Sequence, residues 1–550
     1  RQRSSGRSES WKSSRRRSDG KAAPRKAILW SGGGERKVAP AFTRIQNPVI
    51  WADFPDPDVI RVDDWFYMVT TSMHTMPGCP IMRSRDLKHW ELVGYVFETL
   101  EDNDGHNLAD GKGVYGKGSW AASLRYHEGM FYVAFSCNDT GKFYIYRTDD
   151  IEKGRWHRVT IPRLFHDPSL LFDEGRVYVI YGNGDIYITE LNSDLTGVKE
   201  GGLHRLLLST PKEGMLLRCE GCHAYRIGDE YYLLFIEWPR TGHARRRQVC
   251  YRSKNLLGPY ERRVILDDDM GYFNKGIAQG AIVDTPRGDW YAVLFQDHDA
   301  VGRIPHVLPV TWEDGWPVVG ADGKAPAQVE VALPEHPLPV NWVTSDDFDH
   351  PGGELPLAWQ WNHNPDPGSW SLLERPGHLR LYTKRVVSSV LEARNTLTQR
   401  TEGPACRGIV DMDVSGMKPG DHAGLIALQS HFGTVGVRCL DHGKAVEMCV
   451  RGNDGGEEVV ERVPLSSDTV RLRIDFDFRE SVDVARFYFA LPGGPWQRIG
   501  AELAMRYTLD HFMGYRIGIF CYAGREPGGY VDVDAFHYVR SADIDSMDVD

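Results

Sequence analysis

The sequence lacks long hydrophobic stretches and long helical periods. No run of about 18 apolar residues occurs in its 550 residues, so it predicts no membrane-spanning helix. The N-terminal segment has no apolar signal core, and no stretch shows the 3.6-residue apolar period of a long helix. These absences exclude helical bundles and helical membrane proteins.

Cysteine is scarce, and its spacing shows no pattern of disulfide pairs. The nine cysteines are scattered and odd in number, which excludes a framework of disulfides. Cys219 and Cys222 have CxxC spacing, but a single pair without a second one is weak evidence for zinc. We therefore expect free thiols and predict no metal site from these residues.

An excess of positive over negative charge is found only at the N-terminus. Residues 1–44 hold 13 Lys/Arg against 3 Asp/Glu, and the remainder carries a net charge of −21. This balance argues against a nucleic-acid partner for the folded part. Residues 1–43 have no apolar periodicity and are predicted to be a disordered basic extension, and 541–550 an acidic tail.

Five tyrosines divide the first 300 residues into similar units. Each lies within a short apolar run after a Gly/Asp turn, which is typical of a buried strand, and four of the five follow another aromatic residue. The tyrosines are Tyr67, Tyr132, Tyr178, Tyr232 and Tyr291. Their intervals of 65, 46, 54 and 59 residues have the length of propeller blades. The pattern predicts an all-β chain that begins with a five-bladed β-propeller at residues 44–321.

A second regularity lies 11 or 12 positions before each tyrosine. The residues at these positions are Asp56, Trp120, Asp167, Glu220 and Gln279. In a propeller, such positions fall near the channel end of the innermost strand of each blade. Three carboxylates, a tryptophan and an amide are therefore expected to converge on one pocket.

Three converging carboxylates indicate glycoside hydrolysis. This reaction needs a general acid for the leaving oxygen and a second carboxylate as base or nucleophile. Glu220, with the longer side chain and apolar neighbours, suits the acid role, and Asp56 the base role. Asp167 would orient and tune the acid, and Trp120 would offer a flat face to a sugar ring. Asp53 and Asp58 are near enough to Asp56 to compete for the base role.

Four short segments resemble the signature blocks of glycoside hydrolase family 43. They are Phe54–Asp58 (FPDPD), Ser119–Ala121 (SWA), His166–Ser169 (HDPS) and Cys219–Gly221 (CEG). The resemblance implies an inverting five-bladed propeller that acts on arabinose- and xylose-containing polysaccharides. It implies that Asp56 is the general base, Asp167 the residue that modulates the acid's pKa, and Glu220 the general acid.

The resemblance also bears on substrate binding and on cofactors. Arg303 matches the arginine that binds the sugar, and His306 lies beside it as a further candidate for substrate contact. Many members carry a fifth-blade histidine associated with a central calcium, where this chain reads Ala278–Gly280 (AQG). Gln279 is therefore interpreted as a substrate-binding residue. No cofactor is predicted to be required, and a structural calcium in the channel is left open.

The C-terminal part is predicted to be a second all-β domain. A Pro-rich linker at 322–342 precedes short alternating runs typical of sandwich strands at 343–540. Segments 359–365, 374–381 and 394–400 resemble the β-sandwich (jelly-roll) domain attached to a subset of family 43. In such enzymes this domain packs on the propeller and narrows the pocket mouth, and a purely stabilising role is the alternative.

The functional prediction is an exo-acting glycosidase. Release of terminal α-L-arabinofuranosyl side chains from arabinoxylan is favoured, and β-xylosidase activity on xylo-oligosaccharides is the alternative. A non-catalytic carbohydrate-binding propeller is disfavoured because a lectin needs no matched acid and base. The expected partner is plant cell-wall polysaccharide, with no nucleic acid and no membrane, and an extracellular location is inferred from this substrate class.

Overall fold

The computed structural model describes residues 42–153, 155–452, 455–541 and 543–544. The predicted basic extension at 1–43 and the acidic tail at 541–550 therefore lie mostly outside the described residues. The described chain consists almost entirely of antiparallel β-sheets. Its only described 3-10 helices are Asp299–Val301, Pro367–Ser369, Val390–Glu392 and Arg479–Ser481. Among these residues, no helix is long and apolar enough to cross a membrane.

Five four-stranded sheets form a β-propeller. Blade 1 contains Asp58–Val62, Trp65–Val69, Gly78–Ser84 and Glu91–Phe97. Blade 2 contains Ser119–His127, Met130–Cys137, Lys142–Thr148 and His157–Ile161. Blade 3 contains Ser169–Asp173, Arg176–Asn183, Asp185–Leu191 and His204–Ser209. Blade 4 contains Met215–Ile227, Glu230–Pro239, Arg247–Ser253 and Glu261–Leu266. Blade 5 contains Ala278–Asp284, Trp290–Asp297, Arg303–Glu313 and Trp316–Val319.

The first strand of each blade lines the centre of the propeller. These five strands contact one another in sequence, and the strand of blade 5 contacts that of blade 1, so they close a ring. The five repeat tyrosines all lie in the second strands and are buried. Each blade is covered on both faces by its neighbours. The apolar residues around these tyrosines are therefore buried in the spaces between blades. The predicted five-bladed propeller is confirmed.

The two ends of the propeller are joined by a separate pair of strands. Thr43–Gln46 pairs antiparallel with Gln328–Val331, which lies inside the predicted linker. Blade 5 is built from consecutive strands, and its last two strands form the hairpin around Asp314–Gly315. The described chain thus returns to its first strand before it enters the second domain.

Two eight-stranded sheets form the predicted β-sandwich. The first sheet has the order Glu457–Leu465, Gly443–Arg451, Gly433–Leu440, Asp421–Leu428, Arg516–Ala523, Leu397–Arg400, Gln360–Asn362 and Thr75–Met76. The second has the order Trp370–Ser371, Leu379–Tyr382, Tyr530–Arg540, Ala405–Asp413, Thr469–Asp477, Val484–Ala490 and Gln497–Arg498, with Leu503–Ala504 also paired to Val484–Ala490.

The sandwich and the propeller share one hydrophobic core. The eighth strand of the first sheet, Thr75–Met76, comes from blade 1 and pairs with Gln360–Asn362. A continuous buried cluster runs from the propeller, where Phe54 packs edge-on against Trp342, to the interior of the sandwich. Asp53 accepts hydrogen bonds from the backbone N–H groups of Arg303 (2.8 Å) and Gly514 (2.9 Å). These contacts fix the sandwich loop around Gly514 against the propeller.

Candidate active site

Five residues in equivalent repeat positions meet at one end of the propeller channel. Each lies within the first strand of its blade or within two residues before it. They line a cavity of about 260 Å³. Its lining is Asp56, Met73, Trp120, Ala121, His166, Asp167, Glu220, Gln279, Arg303 and Phe512. Except for His306, all site residues predicted from the sequence are brought together here.

Irregular backbone aims these side chains into the cavity. Asp56, Asp167 and Gln279 have φ values of 52°, 44° and 61°, in the left-handed region that non-glycine residues rarely adopt. The strand registers shift around Trp120, Glu220 and Gln279, as in β-bulges, which re-aim a side chain at the end of a strand. Strained backbone of this kind persists only where the surrounding fold holds it in place. It is found mostly at functional sites.

Asp56 is held by two donors. Thr71 Oγ1 donates to Asp56 Oδ2 at 2.5 Å, and Arg303 Nη1 donates to Asp56 Oδ1 at 2.8 Å. All three side chains are buried, so these contacts fix the orientation of the carboxylate. The competing aspartates are occupied elsewhere and do not line the cavity. Asp53 binds backbone amides, and Asp58 accepts from Arg125 Nη1 at 2.8 Å.

Arg303 retains donors that can bind a sugar. Its guanidinium lies between the rings of Phe295 and Phe512, at 5.3 and 4.7 Å from the ring centroids. Among the described residues, Arg303 Nε and Nη2 have no hydrogen-bond partner although both are buried. Unsatisfied buried donors cost free energy, so a ligand that supplies hydroxyl oxygens would gain by pairing with them.

Asp167, His166 and Glu220 form a coupled group. His166 Nε2 lies 3.0 Å from Glu220 Oε2 and 3.6 Å from Asp167 Oδ2. Burial and the charges of Glu220 and Asp56 together raise the pKa of Asp167 to about 6, against the opposing effect of the charge on His166. The negative charge of Asp167, together with the hydrogen bond to Glu220, raises the pKa of His166 to about 9. The imidazolium is therefore the form present near neutral pH.

Glu220 is contacted through one oxygen. Asn183 Nδ2 donates to Glu220 Oε2 at 2.6 Å, and His166 Nε2 approaches the same atom. No described residue bonds to Oε1, which leaves that oxygen to face a bound molecule. Neither contact is predicted from the sequence, where Asn183 lies between two glycines and His166 begins the HDPS segment.

A second cavity of about 250 Å³ adjoins the first. The two cavities share Glu220, Gln279, Arg303 and Phe512. Asp56 and Asp167 line only the first cavity, and Trp238 and Arg246 only the second. Glu220 thus lies at the junction, where an acid would reach the bond between two sugar units.

The sandwich domain completes the site. Tyr507, Leu509 and Phe512 all come from its loop after Leu503–Ala504, and all line the second cavity. Phe512 also lines the first cavity, and its ring centroid is 5.8 Å from that of Trp120. The sequence predicted only a general narrowing of the pocket mouth and named none of these three residues.

His306 is placed differently from the prediction. It follows Arg303 by three positions on a regular strand, and an odd separation puts two side chains on opposite faces. It is fully buried, its ring lies 6.1 Å from that of His298, and it lines neither cavity. Burial lowers its pKa to about 4, so it is neutral. The predicted substrate contact of His306 is not supported by this placement.

Spacing alone would permit a metal at the site. One atom each from His166, Asp167 and Glu220 lie within 4.8 Å of one another. The hydrogen bond between His166 and Glu220 and the raised pKa of His166 compete with metal binding there, because a ligating imidazole must be neutral.

Comparison with known proteins agrees with this geometry. Residues 45–317 match the model of glycosyl hydrolases family 43, and residues 345–539 match the β-xylosidase C-terminal concanavalin A-like domain. The chain belongs to glycoside hydrolase family 43. A β-xylosidase of Formosa agariphila is 30% identical over 90% of both chains. A non-reducing end α-L-arabinofuranosidase of Bacteroides ovatus is 34% identical over 62% of this chain and 66% of that protein.

Solved structures of family 43 have the same architecture. A bifunctional GH43-CE of Bacteroides eggerthii is 47% identical, with a TM-score of 0.85 over 90% of this chain. This chain spans 64% of the length of that one. A family 43 hydrolase engineered to display both endo-xylanase and exo-arabinofuranosidase activity is 29% identical, with a TM-score of 0.81 over 90% of this chain and 99% of that one.

Phe512→Ala tests the contribution of the sandwich to this family 43 site. Loss of the ring removes a wall of both cavities and the stacking on Arg303. We expect transition-state binding to weaken by about 1.5–3 kcal/mol, the free energy of burying a phenylalanine side chain. We expect kcat/KM to fall by about 10- to 100-fold, measured on an aryl pentoside and on a natural disaccharide. Val482→Ala, at an exposed sandwich residue outside both cavities, should retain wild-type kcat/KM. Equal activities of the two variants would contradict a role for Phe512.

His166→Gln is expected to remove a pH-dependent part of the stability. Because the folded-state pKa of His166 is raised from 6.5 to about 9, its stabilisation is full below pH 6.5 and is lost as the pH rises through 9. The shift corresponds to about 3 kcal/mol. Melting temperatures between about pH 7 and pH 10 should fall more steeply for wild type than for the variant. Parallel curves would mean that His166 does not carry this charge.

Proposed function

We propose that the protein is an exo-acting glycosidase that releases one terminal pentose at a time from xylan or arabinoxylan fragments. The convergence of Asp56, Asp167 and Glu220 on one cavity, with Glu220 at its junction with a second, carries the proposal. The first cavity would hold the pentose that is released, and the second the sugar that leaves. The loop bearing Phe512 walls both cavities, which favours cleavage at chain ends.

The proposed reaction is a single displacement with inversion. Glu220 gives its proton to the glycosidic oxygen as the bond to the anomeric carbon breaks. Asp56 takes a proton from a water molecule, whose oxygen bonds to the anomeric carbon from the opposite face. Arg303, already bonded to Asp56, would direct its two remaining donors to the hydroxyls of the pentose. Trp120 and Gln279 would complete the walls of this subsite.

His166 extends the predicted roles. As an imidazolium it offsets part of the negative charge of Asp167, and it lies 3.0 Å from Glu220, the proposed acid. Asp167 also accepts a hydrogen bond from the backbone N–H of Gly221 at 2.9 Å, next to Glu220. Asp167 would therefore position Glu220 both through its charge and through the backbone that follows it.

Two pentoses are candidates for the sugar that is released, xylose and arabinose. Several relatives matching 84–90% of this chain are named β-xylosidase or putative β-xylosidase, which supports xylose from xylo-oligosaccharides as the first candidate. The α-L-arabinofuranosidase activity predicted from the sequence is the second candidate, supported by the relative from Bacteroides ovatus. An extracellular location remains a prediction from the substrate class.

A product assay separates these candidates. Purified protein would be incubated with arabinoxylan and, separately, with linear xylo-oligosaccharides, with Glu220→Gln as the control. Xylose from the oligosaccharides supports the β-xylosidase, and arabinose from arabinoxylan without xylose supports the arabinofuranosidase. If neither sugar is released, the proposal is wrong and binding of the same sugars should be measured instead.

A further inference from the structure

The sandwich domain contains a buried cluster of metal-binding side chains. His422 lies on the strand Asp421–Leu428, and Glu447 and Cys449 lie on Gly443–Arg451. All three side chains are fully buried. One nitrogen of His422, the sulfur of Cys449 and one carboxylate oxygen of Glu447 lie within 4.8 Å of one another. None of these residues lines the cavities of the active site.

Strand register explains why the three side chains meet. The strand Gly433–Leu440 lies between their two strands, and Gly436 pairs across to Glu447 while Thr434 pairs to Cys449. His422 pairs to Arg438, two positions from Gly436, so all these residues share one face of the sheet. A Cβ on Gly436 would lie 3.0 Å from His422 Nε2. The imidazole therefore reaches over this glycine, where no side chain fills the space.

Hydrogen bonding engages Nδ1 of His422 and leaves Nε2 without a partner among the described residues. Tyr522 Oη donates its proton to Glu457 Oε2 at 2.8 Å, so it can only accept from His422 Nδ1, which lies 3.3 Å away. Nδ1 then carries the hydrogen and Nε2 has a lone pair. Among the described residues, Nε2 has no hydrogen-bond partner. In metal sites, the ring nitrogen of histidine that does not bind the metal usually donates a hydrogen bond to a neighbour, and this bond orients the imidazole. The contact of His422 Nδ1 with Tyr522 has this form.

Charges of both signs surround the cluster, because Arg438 and Arg462 pair with Glu447 and Arg438 also lies 3.8 Å from Glu457. Burial and the charge of Arg438 lower the pKa of His422 well below its usual value, so the ring is neutral and can ligate. Glu447 accepts hydrogen bonds from Arg438 Nε at 3.3 Å and from Arg462 Nε at 2.6 Å. The Cys449 thiol also donates to Glu447 Oε2 at 3.8 Å, and loss of the thiol proton on metal binding would free a lone pair of that oxygen for the metal. Burial raises the pKa of Cys449 to about 12, so a bound metal must displace the thiol proton.

We propose that His422 Nε2, Cys449 Sγ and a Glu447 carboxylate oxygen bind a zinc ion in the sandwich domain. Imidazole, thiolate and carboxylate are the ligands that zinc takes, at about 2.0–2.3 Å, and tetrahedral geometry then requires ligand atoms about 3.3–3.8 Å apart. The observed grouping needs small side-chain shifts to reach this spacing. Binding forms the Zn–S bond and releases the thiol proton to solvent. The buried hydroxyl of Thr434, which lies beside the Cys449 thiol, or a water would take the fourth position.

The experiment uses the full chain, freed of metal with a chelator and titrated with Zn²⁺ alone or with Co²⁺ alone as a spectroscopic probe. We expect one equivalent per chain, a melting temperature several degrees higher with Zn²⁺, and a thiolate-to-cobalt charge-transfer band with Co²⁺. His422→Ala and Cys449→Ser should each lose stoichiometric binding and the band. Cys439→Ser, on the intervening strand but on its opposite face, should retain both.

The wild-type protein alone can overturn the proposal. Absence of stoichiometric uptake, or uptake of Co²⁺ without a charge-transfer band, would exclude Cys449 as a ligand even if the variants fail to fold. Undiminished binding by Cys449→Ser would exclude it as well. Release of protons on zinc binding, measured in weakly buffered solution, should approach one per chain and should disappear in Cys449→Ser.

Discussion

Replacing Asp56 by asparagine is expected to lower kcat/KM by about 10³-fold on natural and on activated substrates alike. An amide cannot take the proton of the attacking water, and that step is needed whatever the leaving group is. The amide would also place its own donors opposite Thr71 or Arg303, both of which donate to Asp56. Rates should be measured on xylobiose and on a dinitrophenyl pentoside, with melting temperature as a check of folding.

Asp58→Asn is the matched control for this prediction. Asp58 lies two residues away and is equally buried, but its carboxylate binds Arg125 and the backbone N–H of Leu124 rather than the cavity. We expect this variant to lose stability and to keep kcat/KM within about tenfold of wild type. If Asp58→Asn lost more activity than Asp56→Asn at comparable folded fraction, the base would have to be reassigned.

Local sequence signals were sufficient to predict the propeller and its catalytic end. Each blade repeats a turn and an apolar strand that carries a tyrosine, at intervals of 46 to 65 residues, and such signals depend only on neighbouring residues. Because equivalent positions in a ring face one axis, Asp56, Asp167 and Glu220 could be placed together from spacing alone. The structure brings them to one cavity, and their chemical roles remain predictions.

Contacts between distant segments could not be predicted in this way. Phe512 reaches the site only because Asp53 bonds the backbone of Gly514, across 461 positions of sequence. No periodicity relates these residues, since the sandwich sheet packs on the propeller through a shared core. Asn183 was missed for a different reason. Its flanking glycines explain the turn, and nothing in the sequence shows that the turn faces Glu220.

The cluster around His422 illustrates a similar limit. Glu447 and Cys449 follow His422 by 25 and 27 positions in the sequence, and no short motif joins them to it. They meet because two strands are separated by a third that carries a glycine at the crossing point. Prediction of this group would have required the register of three strands, which depends on the packing of the whole sandwich.

Replacing Glu220 by glutamine is expected to separate natural from activated substrates. Glutamine keeps the shape of the side chain and can still accept a hydrogen bond from Asn183, but it has no proton to give to the leaving oxygen. A sugar alkoxide leaves poorly without that proton, so kcat/KM on xylobiose should fall by about 10²- to 10⁴-fold. A dinitrophenolate needs little protonation, and kcat/KM on its pentoside should stay within about tenfold of wild type. Equal losses on both substrates would show that Glu220 serves another purpose, such as binding at the junction of the two cavities. Asp56→Asn should be measured in parallel and should lose activity on both substrates. The different responses of the two variants would then assign the acid and the base independently of any effect on folding.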